Sequence, residues 1–284
     1  MSIKVERNIL KKGDIAYYSS RRFFPNNTRD DIAKLYSFVR IISDSVYASP
    51  ADIESFKYIV RRWQTIKKSK DFGHFKPLDK SINERVLSNI CYIIHHYDCE
   101  PSWVDSFLRS MAMDLRVKSY VNIRDTVEYM HGSSEVIAQI MAKIMRLPNA
   151  SVHSAKMQGR AFEIINFLRD LSTDTAAGRN YFPSTEIRKF GLDKLDETNA
   201  LKHPEEFKKF IRFQIKRYRL WQKEAEKGLQ FVPRRMKIAV HAAIDMYAWM
   251  AKKIDKDPYI VFEKRIKPRR SKVARATARR LIRP

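Results

Sequence analysis

Residues 166–183 read NFLRDLSTDTAAGRNYFP. Asn166, Asp170 and Asp174 stand at steps of four. On an α-helix each such step turns the chain by ~400°, so successive members drift apart by only ~40°. The three side chains therefore share one face, and all three offer oxygen. Oxygen donors on a rigid face suit Mg²⁺, which takes one or two carboxylates and completes its shell with phosphate oxygens and water. The competing reading is a polar face turned to solvent. The neighbours favour an enclosed cavity instead, because Ala161, Phe162, Ile164, Ile165, Phe167 and Leu168 make the segment apolar.

Outward from this stretch, apolar residues recur mostly at helical spacing. In 29–49, Ile32, Leu35, Tyr36, Val39, Ile42 and Val46 form one stripe. Asn27 or Thr28 is expected to cap that helix. Further helices are expected near 51–68, 81–97, 102–117, 122–146, 151–173, 203–228 and 233–256. Prolines at 50, 77, 101, 148, 183, 204, 233 and 258 fall mostly between these segments, as helix breaks should. Alternating strand patterns are scarce, and no internal repeat is evident. The pattern predicts an all-α protein, with a single domain over 1–263 and a basic tail over 264–284.

The bulk composition narrows the chemistry. The 284 residues are 44% hydrophobic, enough for a sizeable core, and 12% aromatic, so rings can line a cavity as well as fill a core. With 7 glycines and neither GxGxxG nor GxxxxGK[ST], a nucleotide-cradling loop is not expected. A formal net charge of +24 attracts polyanions, whether nucleic acid, acidic lipid or phosphorylated substrate. The tail from Lys264 to Pro284 holds no acid and no aromatic residue. It can be solvated or rest on an anionic membrane surface, and without rings to stack on bases it gives no reason to expect nucleic acid. Only Cys91 and Cys99 are present, too few for a disulfide framework, which suggests a reducing compartment. No signal peptide and no membrane-spanning segment is expected, so the location read from sequence is cytoplasmic, with peripheral contact at the cytoplasmic membrane through the tail.

The segment QGRAFEIINFLRDLSTDTAAGRNYFPSTEIRKFGL (158–192) closely resembles the second aspartate-rich region of the squalene/phytoene synthase family. There a helix carries N-x-x-x-D-x-x-x-D and exits through G-R-x-Y-[LF]-P, matched here by Gly178, Arg179, Tyr181, Phe182 and Pro183. Three more segments, 17–46, 129–145 and 241–272, resemble family regions in the same order, so the likeness spans roughly 14–275. The second and third of these look closer to prokaryotic phytoene synthases.

The resemblance implies a terpene-synthase-type helical bundle around a central cavity. It implies an enzyme that joins two allylic prenyl diphosphates head to head through a cyclopropylcarbinyl diphosphate. Two geranylgeranyl diphosphates would give phytoene; a squalene-type synthase would use farnesyl diphosphate and NADPH. By motif match, Asn166, Asp170 and Asp174 would hold Mg²⁺. Arg40 and Arg265 would contact diphosphate, Arg having the fixed donor fork for that work. Asp44, Tyr129 and Tyr247 would be catalytic, and Tyr17 would belong to the cavity wall. Packing alone also accounts for each tyrosine, and an i,i+4 pair with Asp44 also accounts for Arg40.

The chain departs from the family at the first aspartate-rich motif. Where R-x-x-D-D-x-x-D is usual, it reads RIISDSVY, so Ser43 and Tyr47 replace the outer aspartates and only Asp44 remains. Glu163 stands where glutamine is common. A non-catalytic family member, partner to an active relative, is therefore a second reading. A third uses CYIIHHYDC (91–99), where Cys91, His95 and Cys99 share a face that offers three zinc ligands and no obvious fourth.

Overall fold

The structure is a computed structural model and describes residues 3–13, 21–48, 50–263 and 266. Tyr17, Arg265 and, apart from Ile266, the rest of the basic tail lie outside the described residues. The expected helices are present. In chain order they are α1 (Lys4–Gly13), α2 (Asn26–Tyr47), α3 (Ile53–Ser69), α4 (Ile82–Tyr97), α5 (Pro101–Asp114), α6 (Ile123–Met130), α7 (Val136–Ile144), α8 (Val152–Arg169) and α9 (Leu171–Ala176). Short helices α10 (Ser184–Lys189) and α11 (Glu197–Lys202) lead to α12 (Pro204–Glu226), α13 (Arg234–Lys256) and α14 (Ile260–Glu263).

α2 starts earlier than its sequence suggests. Pro25 stands at the N-cap with φ −54°, and neither Asn27 nor Thr28 caps the helix. The pyrrolidine ring already holds the entry backbone near the angle the first turn needs.

Two apolar clusters fill the bundle. One joins α2, α3, α4, α5 and α7, with Trp63, Ile59 and Ile90 fully buried. The other joins α6, α8, α12 and the far end of α13, with Phe207, Phe210 and Ile165 at its centre. α8 runs along α12 and also touches α7 and α13. Between the clusters lies an apolar cavity of ≈ 420 Å³, walled by α2, α7, α8 and α13.

The expected helix over 122–146 is not uniform. His131–Glu135 form a wider π turn, in which the Val136 N–H reaches back five residues to the His131 carbonyl. Such turns are frequent at functional sites. Small residues set this one against its neighbours. A Cβ on Gly132 would lie 2.1 Å from the Ser106 carbonyl of α5, and one on Gly159 of α8 would lie 2.6 Å from the Ser134 carbonyl.

One parallel ladder interrupts the helices. β1 (Ser119–Tyr120) pairs with β2 (Asn180–Pro183), with a register shift between Ser119 and Tyr120. It ties the exit of α9 to the segment that follows α5.

Candidate active site

The polar stripe of 166–174 survives a break in its helix. Asp170, at φ −99° and ψ 10°, separates α8 from α9. Even so, the Asp170 N–H donates to the Asn166 carbonyl and the Asp174 N–H to the Asp170 carbonyl, both at 2.9 Å. The step of four therefore persists across the kink. α9 then ends in a Schellman turn. The Gly178 N–H donates to the Thr175 carbonyl at 3.0 Å and the Arg179 N–H to the Asp174 carbonyl at 2.8 Å. Gly178 sits at φ +71°, a left-handed backbone that glycine adopts without strain. The turn brings the Arg179 guanidinium back to Asp174, at 3.3 Å.

Asn166 belongs both to this face and to the cavity wall, beside Glu163, Phe162 and Tyr247. Its amide donates to Glu163 at 3.0 Å, and its oxygen accepts from the Tyr247 hydroxyl at 3.2 Å. The Tyr247 ring stacks on Phe162 with centroids 3.8 Å apart. Glu163 also accepts from Ser133 of the π turn at 2.6 Å. Burial raises the Glu163 carboxyl above the usual range. The chamber thus has greasy walls and a polar neck.

Beyond the neck, Asp170 and Asp174 are mostly enclosed, with side chains 21% and 15% exposed. Asp170 accepts from its neighbour Arg169, whose Nε lies 3.0 Å away. Burial lifts the Asp174 carboxyl to about 6, against the pull of Arg179 and with a further push from Asp170. Two unlike needs meet here. Each carboxylate has one arginine beside it and keeps oxygen lone pairs to spare, and the Arg179 Nε is buried with no acceptor. A cation beside the acids and an anion beside the guanidinium would satisfy both. The oxygen donor set therefore suits a hard cation carrying phosphate oxygens.

A second polar cluster lies beside Arg179. Asp114 ends α5, is 3% exposed, and accepts three phenol hydrogens: Tyr47 at 2.5 Å, Tyr129 at 2.9 Å and Tyr181 at 2.8 Å. Burial raises its carboxyl, while the three hydroxyls and Arg179 pull it back. Tyr129, expected to be catalytic, is buried with its hydroxyl committed to this carboxylate. Arg40 and Asp44 pair with each other at 2.8 Å, both about half exposed. Ser43 donates to the Met111 thioether at 3.7 Å.

Sequence reading missed Asp114. A signal was there: the acid continues the buried stripe of Val104, Phe107, Leu108 and Met111. The zinc reading gains no support. Cys91 and Cys99 are buried thiols that burial pushes up to about 12, and His96 stacks on Tyr92. Among the described residues no three His, Cys, Asp or Glu side chains are gathered to hold a metal. Nor, among those residues, is any helix long and apolar enough to cross a membrane.

Comparison with known proteins bears on the family and the fold. A profile of the squalene/phytoene synthase family matches residues 10–272. The chain is 23% identical over 250 residues to a 15-cis-phytoene synthase of Enterobacter agglomerans, covering 86% of this chain and 83% of that one. It is 28% identical over 235 residues to a chloroplastic phytoene synthase of an Oncidium hybrid cultivar, covering 78% and 55% of the two chains. A dehydrosqualene synthase solved with a ligand superposes with a TM-score of 0.78 at 16% identity, covering 99% of this chain and 97% of that one. A squalene synthase of Alicyclobacillus acidocaldarius, HpnC, superposes at 0.72 with 17% identity, covering 90% and 94%. The structural likeness speaks to the fold alone; the profile match spans nearly the whole chain. On that match the chain belongs to the squalene/phytoene synthase family, whose members are head-to-head prenyltransferases.

Proposed function

We propose that the protein joins two geranylgeranyl diphosphates head to head into phytoene, through a cyclopropylcarbinyl diphosphate, in a Mg²⁺-dependent reaction. One observation carries the reading: Asn166 stands on the polar 166–174 face and on the wall of the apolar chamber at once. A diphosphate held at the acids can therefore lead its prenyl tail past Asn166 into the cavity.

In this reading Asn166, Asp170 and Asp174 hold the cation. Magnesium bound there would neutralise diphosphate oxygens and stabilise the leaving group. Arg179, with its spare Nε, donates to the same anion. The C–O bond of the allylic diphosphate breaks, and its electron pair leaves with the diphosphate. The carbon cation left behind meets a dry wall that includes the Phe162–Tyr247 stack, whose ring faces favour positive charge. Arg40 and Arg265 would add guanidinium donors, and Tyr17 a further wall ring. The basic tail would rest on anionic membrane, into which a greasy product departs.

Incubation with C15 and C20 prenyl diphosphates and Mg²⁺, with and without NADPH, tests this. Phytoene from the C20 substrate without reductant is the expected product. Squalene formed only with NADPH would select the squalene-type alternative. No hydrocarbon under any condition would favour a non-catalytic partner of an active relative, a reading that Ser43 and Tyr47 in the first motif support.

Asp174 sets a pH dependence. Its carboxyl, lifted to about 6, holds a proton more tightly in the folded chain than in the unfolded one. Ionising it in the metal-free protein therefore costs stability, a cost that grows as pH rises from about 4 to about 6. Proton and metal compete for the same oxygens, so Mg²⁺ affinity should fall up to about tenfold per pH unit below about 6 and level off above it. Calorimetric titration of Mg²⁺ across that range reads the effect. A flat profile would mean that Asp174 is not a ligand.

A further inference from the structure

We propose that Tyr47 shuts the first-motif wall to divalent cations, so that this chain loads metal through the 166–174 face alone. The inference rests on the metal assignment made above and adds which wall is closed, and by what.

Four observations meet at one place. First, Tyr47 stands at the last position of α2, and its hydroxyl donates to Asp114 at 2.5 Å across 67 residues of chain. Second, Tyr129 and Tyr181 donate to the same carboxylate, so three of its roughly four lone-pair sites are in use. Asp114 would have to shed these hydrogen bonds before it could ligate an ion. Third, the Arg179 guanidinium lies 5.2 Å from the Tyr47 ring centroid while it pairs with Asp174. A positive charge thus stands between Asp174 and Tyr47 and disfavours a second cation beside it. Fourth, the other positions of the motif turn elsewhere. Ser43 faces a thioether, and Asp44 is held by Arg40 on a half-exposed face.

Tyr47 is 43% exposed, but its hydroxyl reaches into the Asp114 cluster, where lost hydration and the neighbouring carboxylate raise the phenol well above its ordinary range, so it stays a neutral donor and offers no phenolate. A neutral donor facing a carboxylate is a latch. It holds the end of α2 against the end of α5 without any ion. The wall that would pair with the 166–174 face is thus closed by a hydrogen bond and a guanidinium.

The test counts bound Mn²⁺ per full-length chain by equilibrium dialysis, with saturating inorganic diphosphate as the probe. Ser43→Asp with Tyr47→Asp together should gain at least one ion over the wild type. Ser43→Asp alone, which leaves the latch intact, should gain none. Far-UV circular dichroism checks folding, and if the double variant fails to fold, Tyr47→Asp alone carries the comparison. No gain when Tyr47 is replaced by aspartate would overturn the proposal, as would a gain from Ser43→Asp alone. Asp170→Ala with Asp174→Ala separates the two claims. If that pair leaves the wild-type count unchanged, the underlying metal assignment is wrong, whatever the first-motif variants do.

Discussion

Replacing Asp170 and Asp174 together by alanine is expected to abolish Mg²⁺-dependent diphosphate release, a loss of ~10³-fold or more in kcat. The change removes both carboxylates of the polar face and leaves only the Asn166 amide. It also strips Arg169 and Arg179 of their acid partners. Half-buried guanidiniums left without those acids will lower stability, so folding must be measured beside activity. The isosteric pair Asp170→Asn and Asp174→Asn keeps hydrogen-bond acceptors near both arginines and removes only the charge. It should fold like the wild type and still fail to release diphosphate. Full turnover in the folded asparagine pair would refute the metal assignment.

Gly132→Ala is expected to destabilise the protein by about 3 kcal/mol, the upper end of the usual cost of overpacking. The added Cβ would meet the Ser106 carbonyl and the Ser110 hydroxyl, each at 2.1 Å. Neither contact yields cheaply. The carbonyl is helix backbone, and the hydroxyl already donates to the Tyr129 carbonyl at 2.9 Å. Relief requires α5 and the π turn to separate. That motion would also pull Asp114 away from Tyr129, because both sit at the ends of the elements involved. Thermal unfolding should read a drop of roughly 5–10 °C. A shift within a degree or so would mean that the two helices are not locked at this point.

The chain's local code predicts its helices well. The stripe in 29–49 became α2, and Ile32, Leu35, Ile42 and Val46 are buried as its spacing required. Periodicity and proline placement found the helices from α2 onward that exceed two turns to within a few residues, because each is amphipathic and ends where the backbone can no longer continue, but they missed α1 (Lys4–Gly13). Where the expectation failed, contacts between elements were the cause. The π turn in 131–135 reflects how closely α5 and α8 approach Gly132 and Gly159, which no local pattern states. The kink at Asp170 likewise lies inside a segment whose period runs unbroken.

The same division runs through the site. That Asn166, Asp170 and Asp174 share one face was legible because a step of four is a property of one helix. The Asp114 cage was not, because Tyr47 and Tyr181 reach it from 67 residues away on either side. Sequence by itself determined an all-α chain, its apolar stripes and one oxygen-rich helical face, since each of these depends on neighbours within a turn or two. Only the tertiary structure decided that this face meets an apolar chamber at Asn166 and that Tyr47 joins Asp114 nearby. Those outcomes depend on which distant helices pack together, and on where packing leaves a charge without a partner.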